Sequence, residues 1–140
     1  MKLLDLIYPR VCCECHQQIL TPTENGLCWD CRADVAPLGP PWCECCGLII
    51  AGRLDHHFTC VDCVENPPVY DRARSLYHYE GGIRTAIHAL KYERNFSVIP
   101  DLSKLLLAGM HTHFQHAEAF TLVPVALHRK RQRHRGFNQA

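Results

Sequence analysis

Ten cysteines, all between Cys12 and Cys63 of a 140-residue chain, constrain the fold more than any other feature. Eight of them form four C-x2-C pairs: Cys12/Cys15, Cys28/Cys31, Cys43/Cys46 and Cys60/Cys63. Twelve residues separate the first two pairs and thirteen the last two, and the second set follows the first by 31 or 32 positions. A period of that length reads as two copies of one small unit. Chance rarely delivers four such pairs with matching gaps.

The chemistry follows from the compartment. The stretch Met1–Pro9 is too short and is interrupted by Asp5, so it does not read as an export signal. The apolar run Leu102–Met110 is too short to cross a bilayer and is broken by Ser103 and Lys104. A cytoplasmic location is therefore expected, where thiols stay reduced and dense cysteine spacing means metal more often than disulfide. A C-x2-C turn places two thiolates one tetrahedral edge apart, and two such turns close a four-sulfur zinc site. Sequential pairing gives Cys12, Cys15, Cys28, Cys31 and Cys43, Cys46, Cys60, Cys63 as two ligand sets. An interleaved scheme would join 12, 15, 43, 46 and 28, 31, 60, 63, and the internal repeat favours the sequential one. Both sites would be closed, which makes the zinc structural and not catalytic. Cys13 and Cys45 read as spare thiols, and His56 and His57 as loop residues. Gly47 follows Cys46 where a knuckle needs positive φ. His16 holds that place in the first copy.

Residues after Cys63 contain no cysteine. Glu65-Asn66-Pro67-Pro68 reads as a linker, because its prolines continue neither a helix nor a central strand. Arg72–Tyr79 reads as a strand ending at Gly81-Gly82. Ile83, Ala86, Ile87 and Leu90 have helical spacing, and Val98 to Phe114 carries a longer stripe with Pro100 in its first turn. Phe120–Val125 reads as a short buried strand.

Net charge is +1 overall, yet residues 1–127 carry −4 and residues 128–140 carry +5. The near-neutral total excludes a global field for polyanions but leaves a concentrated basic tail. A strand, a basic glycine-containing loop and a helix start would together make an anion site at Arg131, Arg133, Arg135, Gly136 and Asn138. A plain solvated basic face is the alternative. His111, His113 and His116 read as cations at a helix C-terminus, and His78 and His88 as isolated residues. No nucleophile or general base stands out, so no catalytic residue is assigned.

Together, the four C-x2-C pairs, Tyr79-Glu80-Gly81-Gly82-Ile83-Arg84, Leu90-Lys91-Tyr92, Val123-Pro124-Val125 and Arg135-Gly136-Phe137-Asn138-Gln139 resemble the ComF/GntX family. The resemblance implies a small metal-stabilised double zinc ribbon over 1–66, with two structural zinc ions. It also implies an incomplete α/β type I phosphoribosyltransferase-like domain over 67–140. It places the string from Arg135 in the first phosphate-side loop of that domain. The family's later Asp-Asp-x-x-Thr-Thr-Gly type motif does not occur in this sequence. Transferase activity is therefore not expected of these residues, and phosphoribosyl pyrophosphate and magnesium are implied only for a complete domain. The chain reads as truncated. The resemblance implies a role in DNA uptake (competence) or DNA utilisation, with single-stranded DNA or uptake-machinery proteins as partners. The competing reading is a zinc-ribbon module that binds nucleic acid or protein and uses its basic tail on phosphates.

Overall fold

The computed structural model describes residues 9–54, 56–114 and 121–140. Among the described residues are five α-helices: α1 (Trp29–Ala33), α2 (Val61–Glu65), α3 (Gly81–His88), α4 (Ile99–His113) and α5 (Arg129–Arg135). A π-helical turn, Ala89–Glu93, continues α3, and a 3-10 turn, Phe96–Val98, leads into α4. Among the described residues, β-pairing is limited to isolated bridges: Val11 with Gln18, Trp42 with Ile49, Cys43 with Phe58 and Pro37 with Tyr77.

The chain folds into two compact units that are not consecutive in sequence. One comprises Met1–Ala36 and Tyr79–Ala140, the other Pro37–His78. The units do not divide at the change of composition near Glu65–Pro68. The first C-x2-C repeat belongs to the helical unit, while the second forms a unit with the segment that follows it.

The core of the first unit joins Cys12, Ile19 and Leu27 of the ribbon to Ala86, Ala89, Leu90 and Val98 of the helices, with Leu102 and Phe137 packed against them. The helical spacing read from Ile83 to Leu90 is the buried face of α3 and its π-helical extension, where Ile83, Ala86, Ala89 and Leu90 lie inside. Pro100 sits in the first turn of α4, where a missing N–H costs nothing. His111 and His113 lie in its last turn. His116 and Phe120 fall outside the described residues, as do residues 1–8.

Two strand expectations are corrected. Between Arg72 and Tyr79 only Tyr77 bridges, to Pro37, and the Leu38 N–H donates to the Leu76 carbonyl at 3.0 Å. One pairing does not make a ladder. Residues 121–125 carry no ladder either, and Leu122, Val123 and Val125 are 75–81% exposed. An apolar segment becomes a buried strand only when a neighbour takes its backbone groups and covers its face.

The basic tail is also differently organised. Arg, Lys and Gln are good helix formers, and the run itself is helix α5. His128 Nδ1 accepts from the Lys130 N–H at 3.3 Å at its start, and Gly136 closes its end with φ 83°. The glycine therefore terminates a helix and does not precede one.

Candidate metal centres

The two C-x2-C repeats fold alike because each knuckle closes the same hydrogen bonds. In the first, the Cys12 N–H donates to the Gln17 carbonyl at 2.9 Å and the His16 N–H to the Cys12 carbonyl at 3.0 Å. In the second, the Cys43 N–H donates to the Leu48 carbonyl at 2.8 Å and the Gly47 N–H to the Cys43 carbonyl at 3.0 Å. The return residue has positive φ in both, 59° at His16 and 74° at Gly47. Glycine takes that conformation freely, whereas His16 holds it against its own Cβ. The other pair of each repeat opens a one-turn helix. Cys28 is the N-cap of α1 and Cys31 lies within it; Cys60 and Cys63 stand alike in α2.

These turns bring four thiols together twice. The sulfurs of Cys12, Cys15, Cys28 and Cys31 all lie within 4.8 Å of one another, and so do those of Cys43, Cys46, Cys60 and Cys63. The grouping is sequential: each repeat supplies its own set. Cys15 and Cys28 sulfurs are 3.7 Å apart, as are those of Cys46 and Cys60. A zinc–thiolate bond of ~2.3 Å gives a tetrahedral edge of about 3.8 Å, so the spacing fits zinc. It is far beyond a ~2.05 Å disulfide bond, and all ten cysteines are free thiols.

The electrostatics suit thiolates. Burial alone would push Cys12 up, but N–H groups of Cys15, Cys28 and Glu14 aimed at its sulfur outweigh it and bring the thiol from 9.0 to about 7. Cys43 falls to about 6 for the same reason: amides of Cys60, Cys46 and Cys45 overcome its burial. The Cys28 N–H lies 3.4 Å from the Cys12 sulfur, and the Cys60 N–H 3.3 Å from that of Cys43. Cys31 and Cys63 are pushed up by burial and by the neighbouring thiols of their own clusters. Each set thus holds one ready thiolate, and its raised thiol, Cys31 or Cys63, keeps its proton until a cation takes its place. All four corners come from protein, so bound zinc would hold the fold together and offer no open position to a substrate.

Cys13 stands apart from its cluster. It packs against the helical core, and burial with the adjacent Cys12 pushes it up to about 12. Cys45 contributes its carbonyl, which accepts from the Ala73 N–H at 2.7 Å. Neither joins a four-sulfur set. His57 is 95% exposed, with Nδ1 3.5 Å from Glu44 Oε1, and neither it nor His56 joins the metal group.

Two residues that spacing could not reveal support the centres. Arg74, its side chain only 4% exposed, donates through Nη1 to the carbonyls of Cys43 (3.2 Å), Glu44 (3.0 Å) and Ala73 (2.8 Å). Its Nη2 pairs with Glu44 Oε2 at 2.9 Å, and its guanidinium lies over the Trp42 ring. Asp101, fully buried at the start of α4, does the corresponding work for the first repeat. Its Oδ2 accepts from the N–H groups of Gly26 and Leu27.

The expected anion residues are placed differently from a phosphate loop. Arg131 and Arg133 are exposed on α5, and Arg129, Gln132, Arg133 and Gly136 line an open cavity of ≈ 410 Å³. Arg135 is engaged elsewhere, its Nη1 donating to Gln139 Oε1 at 2.6 Å and its guanidinium lying 5.5 Å from the Tyr92 ring centroid. The Asn138 amide donates to the Val125 carbonyl at 3.0 Å. The Gly136 N–H donates to the Gln132 carbonyl at 2.7 Å, at the negative end of the helix. The expected backbone cradle is absent here, and positive potential comes from side chains alone.

Residues 3–64 match the double zinc ribbon domain family. The chain is 32% identical over 135 aligned positions to DNA utilization protein YhgH of Escherichia coli K12, covering 84% of this chain and 58% of that protein. It is 29% identical to competence protein F of Haemophilus influenzae, covering 84% and 50%, and 25% identical to competence protein ComFC of Bacillus subtilis, covering 87% and 51%. The chain thus spans little more than half the length of the curated relatives it matches. No solved structure matches it. No helix among the described residues is long and apolar enough to cross a membrane. With its two four-cysteine centres and this match, the chain carries a double zinc ribbon at its N-terminal end, and over most of its length it is similar to proteins named for DNA utilization and competence.

Proposed function

We propose that the chain serves the uptake or utilisation of DNA, with two structural zinc ions shaping its ribbons. The observation that carries this reading is the alignment with proteins named for DNA utilisation and competence, which extends beyond the zinc ribbon into the helical region. Single-stranded DNA or proteins of the uptake machinery would be its partners. The finer fold we infer for the helical region is the beginning of a type I phosphoribosyltransferase-like domain. The exposed apolar residues Leu122, Val123 and Val125 support this, because an added parallel strand and its covering helix would bury them. Phosphoribosyl pyrophosphate and magnesium would belong to a domain carrying the phosphate-cradling acidic motif, and these residues do not contain it. The test is genetic. Deleting the gene should abolish growth on DNA as a nutrient, or natural transformation, and a Cys43→Ser copy should fail to restore it. Unchanged growth and transformation would overturn the reading.

A second reading, a zinc-ribbon module holding polyanions by its tail, is favoured by the exposed cations of α5. It expects binding that falls steeply with salt. It also expects weaker binding when Arg129, Lys130, Arg131, Arg133 and Arg135 are neutralised. Salt-insensitive binding would sink it.

A further inference from the structure

Folding does not explain the aromatic residues just before α3, on its outer face and on its π-helical extension. The inner face is formed by Ile83, Ala86, Ala89 and Leu90. Yet Tyr79 and Tyr92 keep 56% and 66% of their surface in water, and His88 between them is exposed too. The three rings form a row. Tyr79 and His88 centroids are 6.5 Å apart at 41°, and His88 and Tyr92 are 5.2 Å apart at 63°. Arg135 then continues the row, its guanidinium 5.5 Å from the Tyr92 centroid. Large rings left in water gain nothing for the fold, and a group of them marks a surface that something else covers.

The surroundings identify the cover by charge. Arg84 is exposed one helical turn before His88, on the same face. The Arg94 guanidinium donates to the His134 carbonyl at 2.6 Å, which fixes the end of α5 beside the π-helical turn. This brings the cations of Arg129–Arg135 to the same surface. Glu80 and Glu93 are the nearby acids in sequence, and Arg84, Lys91, Arg94 and the five cations of residues 129–135 outnumber them. Rings interleaved with arginines match a ligand that alternates aromatic faces with negative charges, which is a nucleic-acid strand. The bases must be unpaired, since a duplex hides their faces from side chains.

We propose that Tyr79, His88 and Tyr92, together with Arg135 and the cations of α5, form a stacking surface for single-stranded nucleic acid. The bases lie on the tyrosine rings and the phosphates face Arg84 and the α5 arginines. The proposal deepens the DNA reading above and rests on it.

The experiment measures binding of the zinc-loaded full chain to a fluorescent oligothymidylate and to an abasic oligomer of equal length and charge. Tyr92→Ala should weaken oligothymidylate binding about tenfold and Tyr79→Ala by a similar factor, while Tyr92→Trp should restore it. The abasic oligomer should bind more weakly than oligothymidylate and be indifferent to Tyr92→Ala. Circular dichroism and zinc content should be unchanged, because both tyrosines are exposed. Equal binding of the two oligomers, or wild-type binding by both alanine variants, would overturn the stacking surface. In that case, binding lost only on neutralising the α5 cations would leave the DNA reading standing. Tighter binding of duplex than of single strand would also overturn the proposal. No binding to any oligomer would overturn both the surface and direct DNA contact by this chain.

Discussion

Asp101 holds Gly26 across 75 residues of sequence: its Oδ2 accepts the Gly26 N–H at 2.8 Å and the Leu27 N–H at 3.1 Å. The contact ties the first turn of α4 to the loop that leads into Cys28. Arg32 of α1 lies 3.8 Å from Oδ1 and offsets the buried charge. Asp101→Ala should destabilise the zinc-loaded chain by about 3 kcal/mol, because two amides then lose a charged acceptor and Arg32 its partner. Asp101→Asn keeps an acceptor and should cost roughly half as much. Denaturant unfolding followed by circular dichroism measures both.

Gly26 must also be small. A Cβ there would meet the Val98 Cα at 2.7 Å and its N at 2.9 Å, backbone atoms that cannot step aside. Gly26→Ala should therefore cost about 1–3 kcal/mol as an overpacked contact, in the same unfolding assay.

The two metal centres should differ in what their loss destroys. Cys12 is buried in the core with Leu27, Ala86, Ala89, Leu90 and Val98, and Cys28 and Cys31 pack against that core. Cys43, Cys46, Cys60 and Cys63 belong to the separate unit Pro37–His78. Cys12→Ser should thus remove one zinc and most of the helical signal. Cys43→Ser should remove one zinc and leave α3 and α4 intact. Zinc stoichiometry and far-ultraviolet circular dichroism on each variant check this. An equal loss of helix in both would contradict the division.

The legible parts were those written in short-range spacing. Cys12 to Cys31 and Cys43 to Cys63 state their own turns, and the 31-residue repeat already pointed to sequential ligand sets. The inward face of α3 and the proline at the start of α4 follow from helical periodicity. Asp101 and Arg74 were not legible, because one lone acid and one lone arginine become special only when distant backbone groups arrive beside them. Residues 121–125 misled because β-prone residues state a preference and not a partner. The basic run misled in another way. Gly136 reads equally well as the opening of a phosphate loop or the cap of a preceding helix, and the helix-forming run before it decides for the cap.

Arg74 should matter to the second centre only. Its Nη1 donates to the carbonyls of Cys43, Glu44 and Ala73, and its guanidinium is almost wholly buried. Arg74→Met keeps the bulk and removes the donors. Zinc should then leave the second site about tenfold faster to a chelator, while the first site keeps its rate, since losing a metal centre's supporting hydrogen bonds costs about 10–100-fold in affinity. The rate measured against an Asp101→Asn variant gives the converse comparison.

Acid should empty both centres. The depressed Cys12 and Cys43 thiols stabilise the fold most fully above their ordinary 9.0, and that contribution fades as pH falls through about 7 and about 6. The raised Cys31 and Cys63 favour their protonated forms further, so zinc must displace protons to bind. Affinity should therefore rise with pH. Zinc released on acidification, read with a colorimetric chelator, should reappear in the protein on neutralisation. Release that is independent of pH would argue against thiolate ligation.

The basic helix is held in place from three sides, and its anchor can be cut without touching its charges. Phe137 packs against the core and meets Phe96 edge-on at 5.2 Å, while Arg94 binds the His134 carbonyl and Arg135 lies over Tyr92. Gly136 lets the chain reverse between the helix and Phe137. Phe137→Ala should free α5 and leave the zinc centres and the long helix intact. Trypsin should then cut after Arg129–Arg135 about tenfold faster, since local opening needs only the lost anchor and not global unfolding. Phe137→Leu should restore most of the protection. Equal cleavage of wild type and Phe137→Ala would mean that α5 is held by its polar contacts alone.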